Sequence, residues 1–446
     1  MGRTRLTALS VCGAMLAALT IAGLQLQSED RLECFVIVGL LQIATYLAAV
    51  CLTWNSSSSR RLVLGVAALA IAVRVPVALA PPYLSNDVYR YVWDGRIEAA
   101  GFNPYRYTPA DTRFGSLRDD SIYARIGSKY VPTIYPPTAE AVFLLVTRVR
   151  ESATAMKLAM ALFEMVAFVL IVRLLAVEGL PTSRLLIYAW HPLPIWEFAG
   201  SGHIDAALIA CSLAMLWAAR QRRPGLAGFF LAAATLVKFY PAVLLPAAYR
   251  RWDWRMPALF SSTMIIAYLP FLSAGSQILG FLPGYAGQEG FDAGGAGFYL
   301  LGLLRCLPTL GHLSARAYET GALIVLAMLS LAFALRRDRD RPPYAMAAAS
   351  AAVFMLLLSP HYPWYFCWLI VFVCFVRSFA LFWLTNACLS LYLMTGYAFI
   401  PTTQRLIIES VIYLPFVLLG LLDLWAYRRW QSRRLAPEAS KSAGLA

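Results

Sequence analysis

The residues with the clearest chemical potential follow the third apolar run of the chain. Residues 83–98 read YLSNDVYRYVWDGRIE, and Ser85 or Asn86 can cap a helix from Asp87 to about Ala100. Carboxylates at a membrane surface can accept a proton from a bound hydroxyl group. At helical spacing, the polar side chains gather on one face, which comprises Asp87, Arg90, Tyr91, Asp94 and Glu98.

The other face of this helix is apolar and includes Val88, Val92 and Ala99. Two such faces predict an amphipathic helix at the membrane surface, with its apolar face in lipid or protein and its ionic face toward a cavity. A solvated helix whose charges simply face water is an equal alternative.

A second group of ionisable residues lies inside apolar runs. Lys238 is flanked by apolar residues, and Glu197 lies in a run broken by prolines. An ionisable group within a membrane segment is costly and is usually functional, although a lysine near an interface can also snorkel to water. His203 and Asp205 follow a Gly-Ser-Gly turn, where they either contact a ligand or cap the next helix.

Composition identifies the setting of these residues as a membrane. The chain has 446 residues, 60% hydrophobic and 14% charged, whereas soluble proteins have about 25% charged residues. This excludes a water-soluble globular protein, and it also excludes a disordered chain. The formal charge of +14 is typical of basic cytoplasmic loops and does not indicate nucleic-acid binding. Eight dispersed cysteines without zinc-site spacing predict buried free thiols.

The apolar runs predict an all-α polytopic protein with about 11 to 13 transmembrane helices in a single domain over residues 1–446. A crossing helix needs about 20 apolar residues, and the first run reads as an uncleaved helix. The long runs are 7–27, 32–54, 61–80, 155–177, 203–219, 256–272, 317–335, 343–358, 361–376, 378–395 and 406–427. The short or proline-broken runs are 136–150, 185–200, 225–249 and 297–310.

The positions of the basic clusters predict the topology, because Lys and Arg collect on the cytoplasmic side. They place the N-terminus and the tail, 428–446, inside, and the loop 81–135 outside. The run 225–249 then forms a hairpin that turns at 238–241, and either 136–150 or 185–200 is re-entrant. Both arrangements leave residues 200–205 on the outer side. Irregular backbone at membrane depth is tolerated where it lines a cavity, so the breaks predict an outward-facing cavity.

Five motifs stand in order along the chain: NDVYRYVWDGR at 86–96, GFNPY at 101–105, IYPP at 134–137, GHID at 202–205 and KFYP at 238–241. Together they resemble bacterial GT-C glycosyltransferases, and most closely their polyprenyl-phosphate-mannose-dependent mannosyltransferases. The resemblance extends from about residue 80 to about residue 365. Such enzymes transfer a sugar from a lipid-linked phosphate to an acceptor hydroxyl with inversion, without a nucleotide, and the chain has no nucleotide fingerprint.

The resemblance implies roles for individual residues. Asp87 matches the first-loop acid and is the candidate base, with a favourable charge at the helix N-terminus as its structural alternative. Asp94 either orients the acceptor or pairs with an arginine. Candidates for the donor phosphate are Lys238, Arg90, Arg96 and His203. Candidates for the sugar or acceptor are Asn86, Tyr91, Tyr135, Glu197, Asp205, His361 and Tyr362; the last two also fit interface anchors.

The resemblance does not imply a definite cofactor. Relatives often have paired acids where this chain has Asn86 and Asp87, and its four histidines are scattered. We therefore expect no zinc site and leave a divalent cation open. The expected partners are a polyprenyl-phosphate-linked sugar, a lipid or glycan acceptor, and membrane lipids, at the outer face of a bacterial inner membrane.

Two alternatives remain at this stage. A surface-glycan polymerase or ligase would use a diphosphate-linked oligosaccharide. A lipid or solute transporter often has two related halves, which this sequence lacks.

Overall fold

A computed structural model describes residues 2–54, 56, 59–288, 297–336, 342–395 and 402–442. Across these ranges the regular structure is entirely helical, which confirms the all-α prediction. The first ten helices are α1 (Arg3–Ser28), α2 (Leu32–Thr53), α3 (Arg60–Leu79), α4 (Asp87–Ala99), α5 (Pro137–Val149), α6 (Ala153–Val177), α7 (Leu185–Ala189), α8 (Pro192–Pro194), α9 (Asp205–Arg220) and α10 (Pro224–Thr235). The next ten are α11 (Leu245–Ala248), α12 (Arg255–Tyr268), α13 (Leu282–Gln288), α14 (Tyr299–Arg305), α15 (Ala315–Ala334), α16 (Tyr344–Leu358), α17 (Cys367–Val373), α18 (Phe379–Ala387), α19 (Tyr392–Thr395) and α20 (Thr402–Ser442).

Within the described ranges, seven helices are long and apolar enough to cross a membrane, or eight if one bent pair counts as a span. The prediction of 11 to 13 crossings also counted segments that form shorter apolar helices. One example is α16, whose 15 residues extend about 23 Å, less than the bilayer core of about 30 Å. The shorter apolar helices are Pro224–Thr235, Tyr344–Leu358, Pro363–Val373 and Phe379–Met394.

Two predicted interruptions are present as breaks in the helices. The run after α7 passes through α8 into a π-helical turn, Ile195–Gly200, and then bends by 119° into α9. Gly202 takes φ +78° at this bend, a conformation that glycine adopts without steric cost. The other run breaks between α10 and a 3-10 turn at Tyr240–Leu244.

Helix α4 has the predicted bounds. All residues from Val88 to Ile97 are buried, on the ionic face as well as the apolar one. The helix packs against α5 on one side, and residues such as Phe114 of the following loop cover another. The alternative of a solvated helix whose charges face water is therefore wrong, because this loop folds back over the helix, and a position at the membrane surface stays a prediction. At its start, the Asp87 N–H donates to the Ser85 hydroxyl (3.2 Å), whereas Asn86 makes no side-chain cap.

A buried ion pair joins α3 to α6. The Arg74 guanidinium donates to both Glu164 oxygens (2.8 and 2.9 Å) and to the carbonyl of Ala189 (2.8 Å). Neither ionic side chain is more than 2% exposed. A buried charge needs such a partner in an apolar setting, so the pair ties the spanning helices to the broken segment after α7.

Two smaller predictions concern the cysteines and the tail. All eight cysteines are free, as predicted, but only Cys367, Cys374 and Cys388 are buried. The proposed tail, 428–446, begins as a continuation of α20. Residues 443–446 lie outside the described residues.

The contact between α4 and α5 depends on Gly95. A Cβ atom there would lie 2.4 Å from both the Phe143 carbonyl oxygen and the Thr147 hydroxyl. We expect Gly95→Ala to lower the free energy of unfolding by about 1–3 kcal/mol, because the overpacking outweighs the better helix propensity of alanine. Gly115→Ala is the control, since a Cβ there meets nothing within 4 Å. Thermal unfolding in detergent gives the melting temperatures of the two purified variants. Equal melting temperatures for Gly95→Ala and Gly115→Ala would contradict the expectation.

Candidate functional site

A cavity of about 1090 Å³ lies where the loop after α3, the break after α10 and helices α15 and α16 meet. It has a polar end and an apolar wall. The polar end includes Asn86, Asp87, Arg90, Tyr135, Lys238 and His361. The apolar wall includes Ala322, Leu323, Leu326, Phe354, Leu357 and Leu358.

An ion pair between Lys238 and Asp205 joins the two helix breaks at the polar end. The Lys238 ammonium donates to Asp205 Oδ2 (2.7 Å), and the Tyr240 hydroxyl donates to Oδ1 (2.7 Å). Asp205 is also the first residue of α9, where its charge favours the helix dipole. An ammonium has three N–H donors, so Lys238 can bind an anion in the cavity while it remains paired.

Asp87 begins α4 at the same end of the cavity. Its side chain is 37% exposed, and it lies in the field of Lys238 and Asp205. Burial raises the pKa of the Asp87 carboxyl, and the positive charge of Lys238 opposes that rise. A carboxylate with a pKa closer to neutrality is better suited to remove a proton from a hydroxyl group.

His203 and Glu197 lie behind Asp87, and neither is exposed. His203 Nδ1 lies 3.7 Å from Asp87 Oδ2, and its Nε2 lies 3.4 Å from Glu197 Oε2. The imidazole stacks on Trp364 at 4.2 Å, and the Tyr392 hydroxyl donates to Glu197. Neither His203 nor Glu197 lines the cavity.

Arg90 and Asp94 form a pair one helical turn apart. Arg90 Nε donates to both Asp94 oxygens (2.8 and 2.9 Å), and Nη1 donates to the carbonyls of Ser128 and Val131. Among the described residues, Arg90 Nη2 has no hydrogen-bond partner. Arg90 lines the cavity, whereas Asp94 does not. Asp94 was predicted either to orient the acceptor or to pair with an arginine, and in the structure it pairs with Arg90.

Two further candidates lie away from the cavity. Arg96 donates to Asp119 (2.8 Å) and Glu151 (3.0 Å) and so holds the loop after α4. Tyr91 is fully buried and stacks on Phe143 at 4.5 Å. Both residues belong to the same helix as Asp87, but their side chains are buried in the protein interior.

The C-terminal part of the chain supplies another polar group to the cavity. His361 Nδ1 lies 3.5 Å from Glu409 Oε1, and Tyr362 stacks on Trp364 at 4.4 Å. Glu409 is buried in α20. Sequence reasoning missed Glu409 and Tyr392, although an acid inside an apolar run was a usable signal for Glu409.

Metal-binding geometry was also sought in the described part of the chain. There, no three His, Cys, Asp or Glu side chains are grouped so that they could hold a metal ion.

The comparisons with known proteins decide the family. The family model described as alpha-(1->6)-mannopyranosyltransferase, N-terminal domain, matches residues 6–272, more than half of the chain. The chain belongs to this family. Membership confirms the resemblance to GT-C mannosyltransferases and makes the protein a glycosyltransferase, and its long apolar helices are those of a membrane protein. No curated protein and no solved structure matches the chain.

The part of this mannosyltransferase that matches the family model includes most of the polar end of the cavity. Asp87 and Lys238 lie within residues 6–272, whereas α15, α16 and His361 lie beyond them. The apolar wall therefore comes from a different part of the chain than most of the polar end.

Glu98, near the end of α4, makes stability depend on pH. Burial and the nearby Asp94 raise the pKa of Glu98 to about 7. The folded state then holds a proton that the unfolded chain releases above its lower pKa, so the free energy of unfolding falls as pH rises from about 4.5 to 7. We expect Glu98→Gln to raise the free energy of unfolding by about 1–3 kcal/mol at pH 8 and to leave it nearly unchanged at pH 4.5.

Melting temperatures at pH 4.5 and 8 check this expectation. Asp120→Asn is the control, since Asp120 is exposed on the loop that follows the same helix. A gain for Glu98→Gln that is equal at both pH values would contradict it.

Proposed function

We propose that the protein transfers mannose from a polyprenyl-phosphate-linked donor to a hydroxyl group of a lipid or glycan acceptor, with inversion. The observation that carries this proposal is the cavity, which combines a carboxylate and an ammonium group at one end with an apolar wall of membrane helices at the other. We place the reaction at the outer face of a bacterial inner membrane.

Lys238 binds the donor phosphate in this proposal. The phosphate gains negative charge as the glycosidic bond breaks, so a fixed cation beside it stabilises the transition state. Asp205 holds Lys238 in place, and Tyr240 holds Asp205. Arg90 is a second cation that lines the cavity. Arg96 and His203 take no part in phosphate binding, since neither lines the cavity.

The apolar wall binds the polyprenyl tail. It includes leucine, alanine and phenylalanine side chains of α15 and α16, and Glu319 of α15 also lines the cavity. Leu323 lines the cavity and is 66% exposed, so the wall continues onto the membrane-facing surface of α15. A long isoprenoid chain can leave the cavity along this surface and lie in the bilayer.

Asp87 removes the proton from the acceptor hydroxyl. The acceptor oxygen attacks the anomeric carbon from the side opposite the phosphate, and the bond between that carbon and the phosphate oxygen breaks. The proton passes to Asp87, and polyprenyl phosphate leaves with the electron pair. A single displacement inverts the anomeric configuration. Asn86, Tyr135, His361 and Tyr362 line the cavity and are the candidates for sugar or acceptor contacts.

Three helices support the assignment to the outer face. Helices α3, α9 and α10 each have a basic cluster at or beside one end, at Arg60–Arg61 or at 220–223. Their other ends lead to the cavity, at Pro82, Asp205 and Lys238. Because basic clusters mark the cytoplasmic side, the polar end of the cavity belongs to the opposite side.

Replacement of the base tests the chemistry. We expect Asp87→Asn to lower kcat for mannose transfer by about 100-fold or more, because the amide cannot accept the hydroxyl proton. Transfer is measured in membranes supplied with polyprenyl-phosphate mannose. Asp120→Asn, an exposed acid on the neighbouring loop, should keep normal activity. Full transfer by the Asp87 variant would exclude Asp87 as the base.

Obstruction of the apolar wall tests the lipid-linked donor. Ala322→Trp fills the wall, so we expect it to raise KM about tenfold or more for a long-chain donor, and much less for a donor with a short prenyl chain. Leu331→Trp is the control on the same helix, because Leu331 is exposed and does not line the cavity. Equal effects of Ala322→Trp on both donors would contradict the proposed tail site.

A further inference from the structure

We propose that His203 and Glu197 form a buried relay that orients the Asp87 carboxylate, which makes His203 a positioning residue and not a ligand of the donor. The inference rests on the proposed function, because it assumes that Asp87 is the base. It concerns two residues, His203 and Glu197, that do not themselves line the cavity.

The geometry places one carboxylate at each nitrogen of the same imidazole. Asp87 Oδ2 lies 3.7 Å from Nδ1, and Glu197 Oε2 lies 3.4 Å from Nε2. Of the three side chains, only Asp87 is accessible, at 37% exposed. The distances are slightly long for hydrogen bonds, as catalytic contacts often are before a substrate binds.

A role for His203 in simple packing does not account for these neighbours. A buried imidazole needs partners for both nitrogens, and an unpaired polar atom costs free energy. Within the described residues, His203 makes no direct hydrogen bond through either nitrogen, and Glu197 makes none through Oε2. Each imidazole nitrogen lies within 4 Å of one carboxyl oxygen, so small movements that shorten these two distances give both nitrogens and Glu197 Oε2 a partner.

Phosphate binding by His203 is also inconsistent with its surroundings. The side chain is fully buried, and Trp364 covers one face of the ring. A phosphate within reach of either nitrogen would lie against Asp87 or Glu197, both carboxyl groups. Repulsion from an ionised carboxylate disfavours such an anion.

Proton placement defines what the relay does. A neutral imidazole has one N–H donor and one acceptor. With the proton on Nδ1, His203 donates to Asp87 Oδ2, and its Nε2 accepts from a protonated Glu197. The Tyr392 hydroxyl donates to the other Glu197 oxygen. One negative charge then remains on Asp87, whose free oxygen, Oδ1, is oriented to accept the proton of the acceptor hydroxyl.

The fold fixes both relay residues through one turn. The His203 N–H donates to the Glu197 carbonyl (3.0 Å), across the π-helical turn that precedes it. Gly202 allows this return with φ +78°, and a Cβ there would lie 3.0 Å from Lys157 and Val88. The same break therefore places His203 beside Asp87 and Asp205 beside Lys238.

Two substitutions at His203 separate the two halves of the relay. Asparagine places a polar atom near the position of Nδ1, and glutamine places one near Nε2. We expect His203→Asn to keep kcat within about fivefold, because a donor to Asp87 remains. We expect His203→Gln to lower kcat about 10- to 100-fold, the loss of one hydrogen bond to a charged group.

The pH profile distinguishes this role from a structural one. Besides His203, the groups that act on Asp87 include Lys238, Asp205, Tyr135, Arg90, Glu197 and Tyr91, and the substitutions at His203 leave all six in place. Loss of the donor makes Asp87 easier to protonate, so the acidic limb of kcat/KM should move to higher pH in His203→Gln and stay in place in His203→Asn. The donor KM should change by less than about twofold in both variants.

Glu197 provides a second test if either His203 variant does not fold. Glutamine keeps a donor where the relay requires a protonated acid, so Glu197→Gln should retain kcat within about fivefold. Glu197→Ala removes the donor, so we expect it to lower kcat about tenfold or more. Equal losses in these two variants would overturn the proposed proton arrangement.

The remaining outcomes separate this inference from the proposed function. A rise in donor KM at unchanged kcat in the His203 variants would overturn the relay in favour of phosphate binding. Equal kcat and an unmoved acidic limb in both His203 variants would overturn it as well. Absence of mannose transfer by the unaltered protein, under conditions in which it is folded, would instead overturn the proposed function itself.

Discussion

The ion pair between Lys238 and Asp205 is the interaction on which the cavity depends. Both side chains belong to breaks in apolar segments, where an isolated charge would be very costly. Their contact at 2.7 Å joins the start of α9 to the break after α10, and it leaves an ammonium group facing the cavity. Residues 201–205 at the first break are buried, and residues 238–240 at the second line the cavity; these are the two settings in which irregular backbone is tolerated at membrane depth.

The sequence predicted the features that depend on local chemistry. Glycines and prolines within apolar runs indicated the breaks at 200–205 and 238–241, and both are present. The bounds of α4 were also correct, because its start and end signals lie in adjacent residues. The grouping of Asp87 with Lys238 in one cavity was predictable from their motifs and from the expected side of the membrane.

Contacts that depend on distant segments could not be predicted. Helical periodicity placed Asp94 and Tyr91 beside Asp87, but it contains no information about the loop that covers α4 and buries all its faces. The placement of His203 required knowledge of the 119° bend and of Trp364, which lies more than 150 residues later. Tyr392 and Glu409 approach the site from the C-terminal part, whose packing no local pattern describes.

The composite origin of the cavity has a consequence for how such an enzyme can change. The described members of its polar end other than His361 lie between residues 82 and 240, whereas its apolar wall comes mostly from residues beyond 280. Under the proposed function, substitutions on α15 and α16 would therefore adapt the wall to an isoprenoid of different length or saturation while Asp87 and Lys238 keep their positions. Lipid-carrier preference and sugar-transfer chemistry would then be separable traits.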